Sequence, residues 1–155
     1  MKTAQDIIRD NSREMVSIDY GKTVADAVSR MVDQKIGAIL VRQEGRLVGI
    51  YTERDLLRNM GAEGFDPAAA PVADHMSAPL HTMPHDTPLI KLTDCFLGLF
   101  IRHIVVERDG EPIGLLSIGD VLRATLLDQD EKIQELNAIA SWEYYENWGW
   151  GRKKR

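Results

Sequence analysis

A single cysteine, Cys95, stands among 155 residues. That excludes an internal disulfide framework and fits a reducing cytoplasm. Long apolar runs are also lacking. The longest, "CFLGLFI" from Cys95 to Ile101, is far short of the ~20 residues that span a bilayer, so no membrane insertion is expected. The opening "MKTAQDIIRDNSRE" is broken by Asp6, Arg9 and Asp10, and so lacks the core of a secretory signal. There is no excess of basic charge. A net charge of −5 argues against non-specific binding to nucleic acid, which needs a basic surface to release counterions. Only the final "GRKKR" is strongly basic.

Catalytic and metal-binding patterns are equally scarce. No Walker-type glycine-rich phosphate loop is present. His81 and His85 are four apart, but Pro84 lies between them, which keeps them off one helix face as a ligand pair. Cys95 falls in an apolar helical pattern and reads as inert core. Asp128 and Asp130 read as the solvated start of a helix. These features predict a protein that is not an enzyme and requires no metal or cofactor.

What the sequence does contain is a repeat. "GIYTERD" at 49–55 returns as "GLLSIGD" at 114–120, a shift of 65 residues. The same shift lays Ile36 on Ile101, Val41 on Val106, Gly45 on Gly110 and Leu57-Arg58 on Leu122-Arg123. Two copies of this length indicate a duplicated supersecondary unit rather than a solenoid.

Each copy reads locally as β-α-β-β-α. The opening strands are "MVSI" (Met15–Ile18) and "LHTM" (Leu80–Met83). Helical spacing of apolar residues follows over Val24–Lys35 and over "LIKLTDCFLGLF". Glu44-Gly45 and Asp109-Gly110 mark the turns of two β-hairpins. Thr52 and Ser117 then start second helices at Glu53–Asn59 and Ile118–Leu127. The Gly-, Ala- and Pro-rich stretch between the copies reads as a linker, with a turn of helix at "VADHM". The expected division is a first unit at 1–62, a linker at 63–73, a second unit at 74–128, and a C-terminal helix and basic tail at 129–155.

The repeated Thr/Ser-x-x-Asp has two readings. It is a helix-capping pattern, in which the hydroxyl accepts a backbone N–H and the acid favours the positive end of the helix. It also resembles the end of a ligand-binding motif. The stretches "TVADAVSRMVDQKIGAILV…GRLVGIYTERDLL" and "TPLIKLTDCFLGLFIRHIVV…GEPIGLLSIGDVL" resemble a tandem pair of CBS domains, or Bateman module, of the stand-alone bacterial type. The resemblance implies an α/β (α+β) fold of two βαββα units related by a pseudo-two-fold axis.

It further implies that adenosine-containing ligands bind in clefts between the units. Asp55 and Asp120 would accept ribose hydroxyls, with Thr52 and Ser117 beside the phosphates. Ile36, Gly37 and Ala38, with Ile101, Arg102 and His103, match positions lining the adenine and phosphate region. Ser17, Ile18, Thr82 and Met83 match positions whose backbone holds the base edge. The strand glycines would let backbone approach the ligand.

Arg54, Arg102 and His103 could offset phosphate charge, favouring AMP, ADP or ATP over the cationic S-adenosylmethionine. Ile118-Gly119 stands where the first copy has Glu53-Arg54, so the two clefts are expected to differ. "HIVV" also departs from the family pattern, which commonly places proline before the end of that strand. The implied role is a regulatory sensor acting on an unidentified target protein.

One helix face is expected to bury about half of the strongly apolar 95–101 stretch in its own core; the remainder marks a partner surface, and a homodimer is expected. The alternative is a ligand-independent scaffold that docks through Trp142, Tyr144, Tyr145, Trp148 and Trp150, unless that helix packs on its own protein.

Overall fold

A computed structural model describes residues 1–139. The tail aromatics at 142–150 and the basic terminus lie outside the described residues. The chain forms α1 (Ala4–Asn11), β1 (Ser17–Asp19), α2 (Val24–Gln34), β2 (Ala38–Gln43), β3 (Arg46–Thr52) and α3 (Glu53–Met60). It then repeats the order as α4 (Val72–His75), β4 (Thr82–Pro84), α5 (Leu89–Leu99), β5 (His103–Arg108), β6 (Glu111–Ser117) and α6 (Ile118–Ile139).

Each unit has a three-stranded sheet, β1-β2-β3 or β4-β5-β6. The first strand pairs parallel with the second, across an intervening helix, and the second pairs antiparallel with the third. Both hairpin turns have two residues with positive φ, Glu44 and Gly45, and Asp109 and Gly110. That is the geometry that matches strand twist. The bulges repeat too, after Val41 in β2 and after Val106 in β5. The fold is therefore the expected pair of α/β units with pseudo-two-fold symmetry.

Burial follows the strand period. Ile39 and Val41 point into one core with Val24, Ala27 and Met31 of α2 and with Tyr51. Ile104 and Val106 do the same with Leu89, Leu92 and Phe96 of α5. Leu40 and Val105, on the opposite faces, are buried as well. Each central strand is therefore covered on both sides, and its continuous apolar run is explained.

Two short helices reach across the sequence. α1, for which no helix was expected, starts at a Thr3–Asp6 capping box. It puts Ala4 and Ile7 into the second unit's core, and its Ala4 N–H donates to the Thr87 carbonyl at 2.9 Å. α4, at the end of the inter-unit stretch, puts Val72 into the first unit's core. The inter-unit stretch also accepts from the start of α2, with Val24 N–H donating to the Ala70 carbonyl at 2.8 Å.

At the other end, α6 runs unbroken through Ile139, so the second unit's last helix and the expected C-terminal helix are one continuous element. Asp128 and Asp130 thus sit inside a helix rather than at its start. Asp128 is paired with Lys132 at 2.6 Å. Ile133 and Leu136 are exposed.

Candidate functional site

Among the described residues, Thr/Ser-x-x-Asp capping occurs at four helix starts, and at two of them the aspartate is buried. Thr3–Asp6 and Thr23–Asp26 form boxes at α1 and α2. There Asp6 is half-buried and Asp26 is exposed. Asp55 and Asp120 are buried to 5% and 7% exposure. Burying a carboxylate is unfavourable unless its oxygens are satisfied, so the bonds of these two residues define the site.

One oxygen of each makes the cap. Asp55 Oδ2 accepts from the Thr52 N–H at 2.9 Å and the Thr52 hydroxyl at 3.0 Å. Asp120 Oδ2 accepts from the Ser117 N–H at 2.8 Å and the Ser117 hydroxyl at 2.7 Å. The other oxygen faces a cleft. Asp55 Oδ1 accepts from the Ser77 hydroxyl at 3.1 Å and lies 3.6 Å from Arg58 Nη1. Asp120 Oδ1 lies 3.3 Å from Arg13 Nη1. The capping and ligand-binding readings therefore use different oxygens of one carboxylate and do not exclude each other.

Each cleft combines the capped helix of one unit with the turn before the central strand of the other. The Asp55 cleft, about 340 Å³, is lined by Gly37, Thr52, Arg54, Asp55, Ile101, Arg102 and His103. The Asp120 cleft, about 230 Å³, is lined by Ile36, Gly37, Ala38, His103, Ser117 and Asp120. Each turn is held by its own unit, because Glu53 N–H donates to the Gly37 carbonyl at 3.0 Å and Ile118 N–H to the Arg102 carbonyl at 2.9 Å.

Four of the expected site residues are not brought to either cleft. Ser17, Ile18, Thr82 and Met83 lie within β1 and β4, in register with Leu40, Val41, Val105 and Val106. Ile18 is core, and Met83 packs on the other core. Ser17 Oγ accepts from Arg42 Nε at 3.4 Å, while Thr82 borders a separate groove beside the hairpins. Residues two or so positions earlier line the clefts instead: Met15 and Val16 in one, His81 in the other. Arg13, Lys35, Arg58 and Ser77 are further lining residues that no motif announced.

The strand glycines also have a different role from ligand access. Gly49 makes room for Met76, and Gly114 for Ile8.

The two clefts differ in charge as well as size. Arg54, Arg58 and Arg102 line the Asp55 cleft against Glu53 and Asp55. Arg13 and Lys35 line the other against Glu14 and Asp120. His103 borders both. Burial holds its imidazole below the ordinary 6.5, and Arg102 adds to this while Asp120 and Glu53 oppose it. With no bound anion beside it, His103 is thus neutral at neutral pH.

The family model of the CBS domain matches the chain twice, at residues 4–62 and 72–127. The chain is 38% identical over 121 residues to the CBS domain-containing protein CBSX3, mitochondrial, of Arabidopsis thaliana, covering 75% of this chain and 59% of that one. It thus spans less than two thirds of that relative's length. Among solved structures, a CBS-domain containing protein from Agrobacterium tumefaciens superimposes with a TM-score of 0.75 at 28% identity. The match covers 80% of this chain and 99% of that one. The hexameric CBS-CP12 protein from bloom-forming cyanobacteria gives 0.69 at 27% identity, covering 79% and 70%.

Proposed function

The chain belongs to the CBS-domain family as a tandem pair, and from that premise we propose that it is a regulatory module that senses adenine nucleotides and passes their occupancy to a partner protein. The observation that carries this reading is the pair of buried aspartates. Each keeps Oδ1 turned to a cleft after Oδ2 has capped its helix. A ribose offers two adjacent hydroxyl donors, and a carboxylate oxygen with free lone pairs accepts them. The arginines beside Asp55 suit phosphate, which favours AMP, ADP or ATP over S-adenosylmethionine.

The Asp55 cleft has the volume at which ligand pockets begin, about 300 Å³, and the Asp120 cleft is smaller. The two clefts are therefore expected to differ in affinity. Ligand that touches both units favours one arrangement of them, and a partner reads the shift in population. The hexameric relative supports an assembly of several copies, for which a homodimer is the simplest form.

The test is calorimetric titration with AMP, ADP, ATP and S-adenosylmethionine, after checking that no nucleotide co-purifies. Saturable binding of an adenylate, weakened by Asp55→Ala or Asp120→Ala, supports the sensor. No heat up to millimolar ligand, where interactions of ~4 kcal/mol become visible, would leave the aspartates as helix caps alone and favour the scaffold reading.

A further inference from the structure

The segments that lead into the two parallel strands treat the two aspartates differently. Between α4 and β4 the chain supplies Ser77, a neutral hydroxyl, to Asp55 Oδ1 at 3.1 Å. Between α1 and β1 it supplies Arg13, a cation, to Asp120 Oδ1 at 3.3 Å. The Arg13 side chain is 64% exposed, whereas the Asp120 carboxylate is nearly buried. Arg13 is thus the exposed partner of a buried anion and forms part of the wall of the smaller cleft.

A ribose that takes Asp120 Oδ1 competes with Arg13 for that oxygen. A nucleoside returns no anion to the displaced guanidinium, which is then left beside Lys35 with less counter-charge. A phosphorylated nucleoside returns one, in a geometry that a guanidinium fork can grip with two hydrogen bonds.

Resting on the adenylate reading above, we infer that Arg13 is a specificity-determining residue of the Asp120 cleft. It guards the carboxylate when the cleft is empty and moves to the phosphate when a nucleotide binds. The cleft thereby takes nucleoside phosphates and rejects nucleosides and cationic sulfonium ligands. The Asp55 cleft has no counterpart of Arg13 on the segment that leads into its parallel strand, and its own arginines, Arg54, Arg58 and Arg102, set its choice of ligand. Its Oδ1 accepts from the neutral Ser77 hydroxyl, and its cationic neighbour, Arg58, comes from the capped helix itself at 3.6 Å.

The experiment is a site-resolved NMR titration of the full chain with AMP and with adenosine, following the backbone amides of Ser117 and Asp120. Wild-type protein is expected to prefer AMP. In Arg13→Gln that preference should fall about tenfold, through weaker AMP binding with adenosine binding unchanged or tighter. Arg13→Lys should keep most of it, and the preference read at the Thr52 and Asp55 amides should not move in either variant. Equal weakening of both ligands in Arg13→Gln, or no change in their ratio, overturns the role of Arg13 while leaving the adenylate site standing. If wild-type protein shows no response to either ligand at any of the four amides, the adenylate reading falls and this inference with it.

Discussion

Ile8 occupies the space that a side chain on Gly114 would need: a Cβ there would lie 2.6 Å from Ile8 Cδ1. The residues are far apart in sequence and belong to α1 and β6. Met76, just after α4, stands against Gly49 in the same way. The repeated glycines therefore let a helix lie close on each sheet. That is a packing requirement, imposed by an element from the other end of the chain or from the inter-unit stretch.

Gly114→Ala should accordingly destabilise the fold by about 1–3 kcal/mol through overpacking, despite the gain normally expected on replacing a strand glycine. Urea unfolding of Gly114→Ala, Ile8→Ala and the double variant checks this. Truncating Ile8 should recover part of the loss, giving a coupling between the two sites. Additive effects would show that α1 does not press on β6 as described.

Capping and ligand binding can be separated at Asp120. In Asp120→Asn the amide oxygen can still accept from the Ser117 N–H and hydroxyl, while the NH₂ group turns toward the cleft and presents donors where ribose needs an acceptor. Stability should stay within about 1 kcal/mol of wild type, and adenylate binding at this cleft should be lost. Ser117→Ala should do the reverse, costing about 0.5–2 kcal/mol as a lost cap with a smaller loss of affinity. Thermal melts and the same titrations, run side by side, decide the matter.

Much of this was legible in the residues. Glu44-Gly45 and Asp109-Gly110 mark their turns because both positions need positive φ, and the 65-residue shift aligns the two capped aspartates. What escaped was decided by tertiary packing. α1 is short and polar, and only its docking on the second core makes it a helix worth forming. α6 fuses the two helices read on either side of Leu127, because no glycine or proline separates them. Arg13 and Ser77 lie between elements, where no periodicity marks them. The capping pattern, moreover, occurs twice more at aspartates that are not buried, so burial rather than the motif singles out Asp55 and Asp120. The openings of β1 and β4 were misplaced by about two residues because a three-residue strand carries too little alternation to fix its ends.

His103 should make both stability and affinity depend on pH, in opposite senses. Its folded pKa lies below 6.5, so the unfolded chain binds its proton more readily. The contribution to stability is complete above 6.5 and is lost as pH falls through the folded value. A bound phosphate favours the imidazolium instead, so adenylate affinity should rise as pH falls from 8 to 6. Asp6 and Asp26, whose carboxyls are held low by hydrogen bonds from Thr3 and Thr23, titrate below 3.8 and stay out of that window. Melting and calorimetric titration across pH 5.5–8 test both slopes, and His103→Gln should flatten them.

The last expectation concerns assembly. Ile90, Leu97 and Leu99 of α5, and Leu122 and Leu126 of α6, are exposed, and Phe100 at the end of α5 is 87% exposed. Half of the apolar 95–101 stretch thus serves the core, through Phe96 and the partly buried Cys95 and Ile101, and the rest faces outward. Leaving several large apolar side chains on two neighbouring helices in water is unfavourable, at ~25 cal/mol per Å². A second copy of the chain, presenting the same helices across a two-fold axis, covers them without a new surface on either side. Leu97→Lys with Leu126→Lys should therefore convert the assembly to monomer in light scattering, with the far-UV circular dichroism retained because neither side chain is buried. An unchanged mass in the double variant would place the contact elsewhere on the protein. A monomeric wild-type chain at tens of micromolar would remove the homodimer altogether, and these helices would then be the surface offered to the regulated partner.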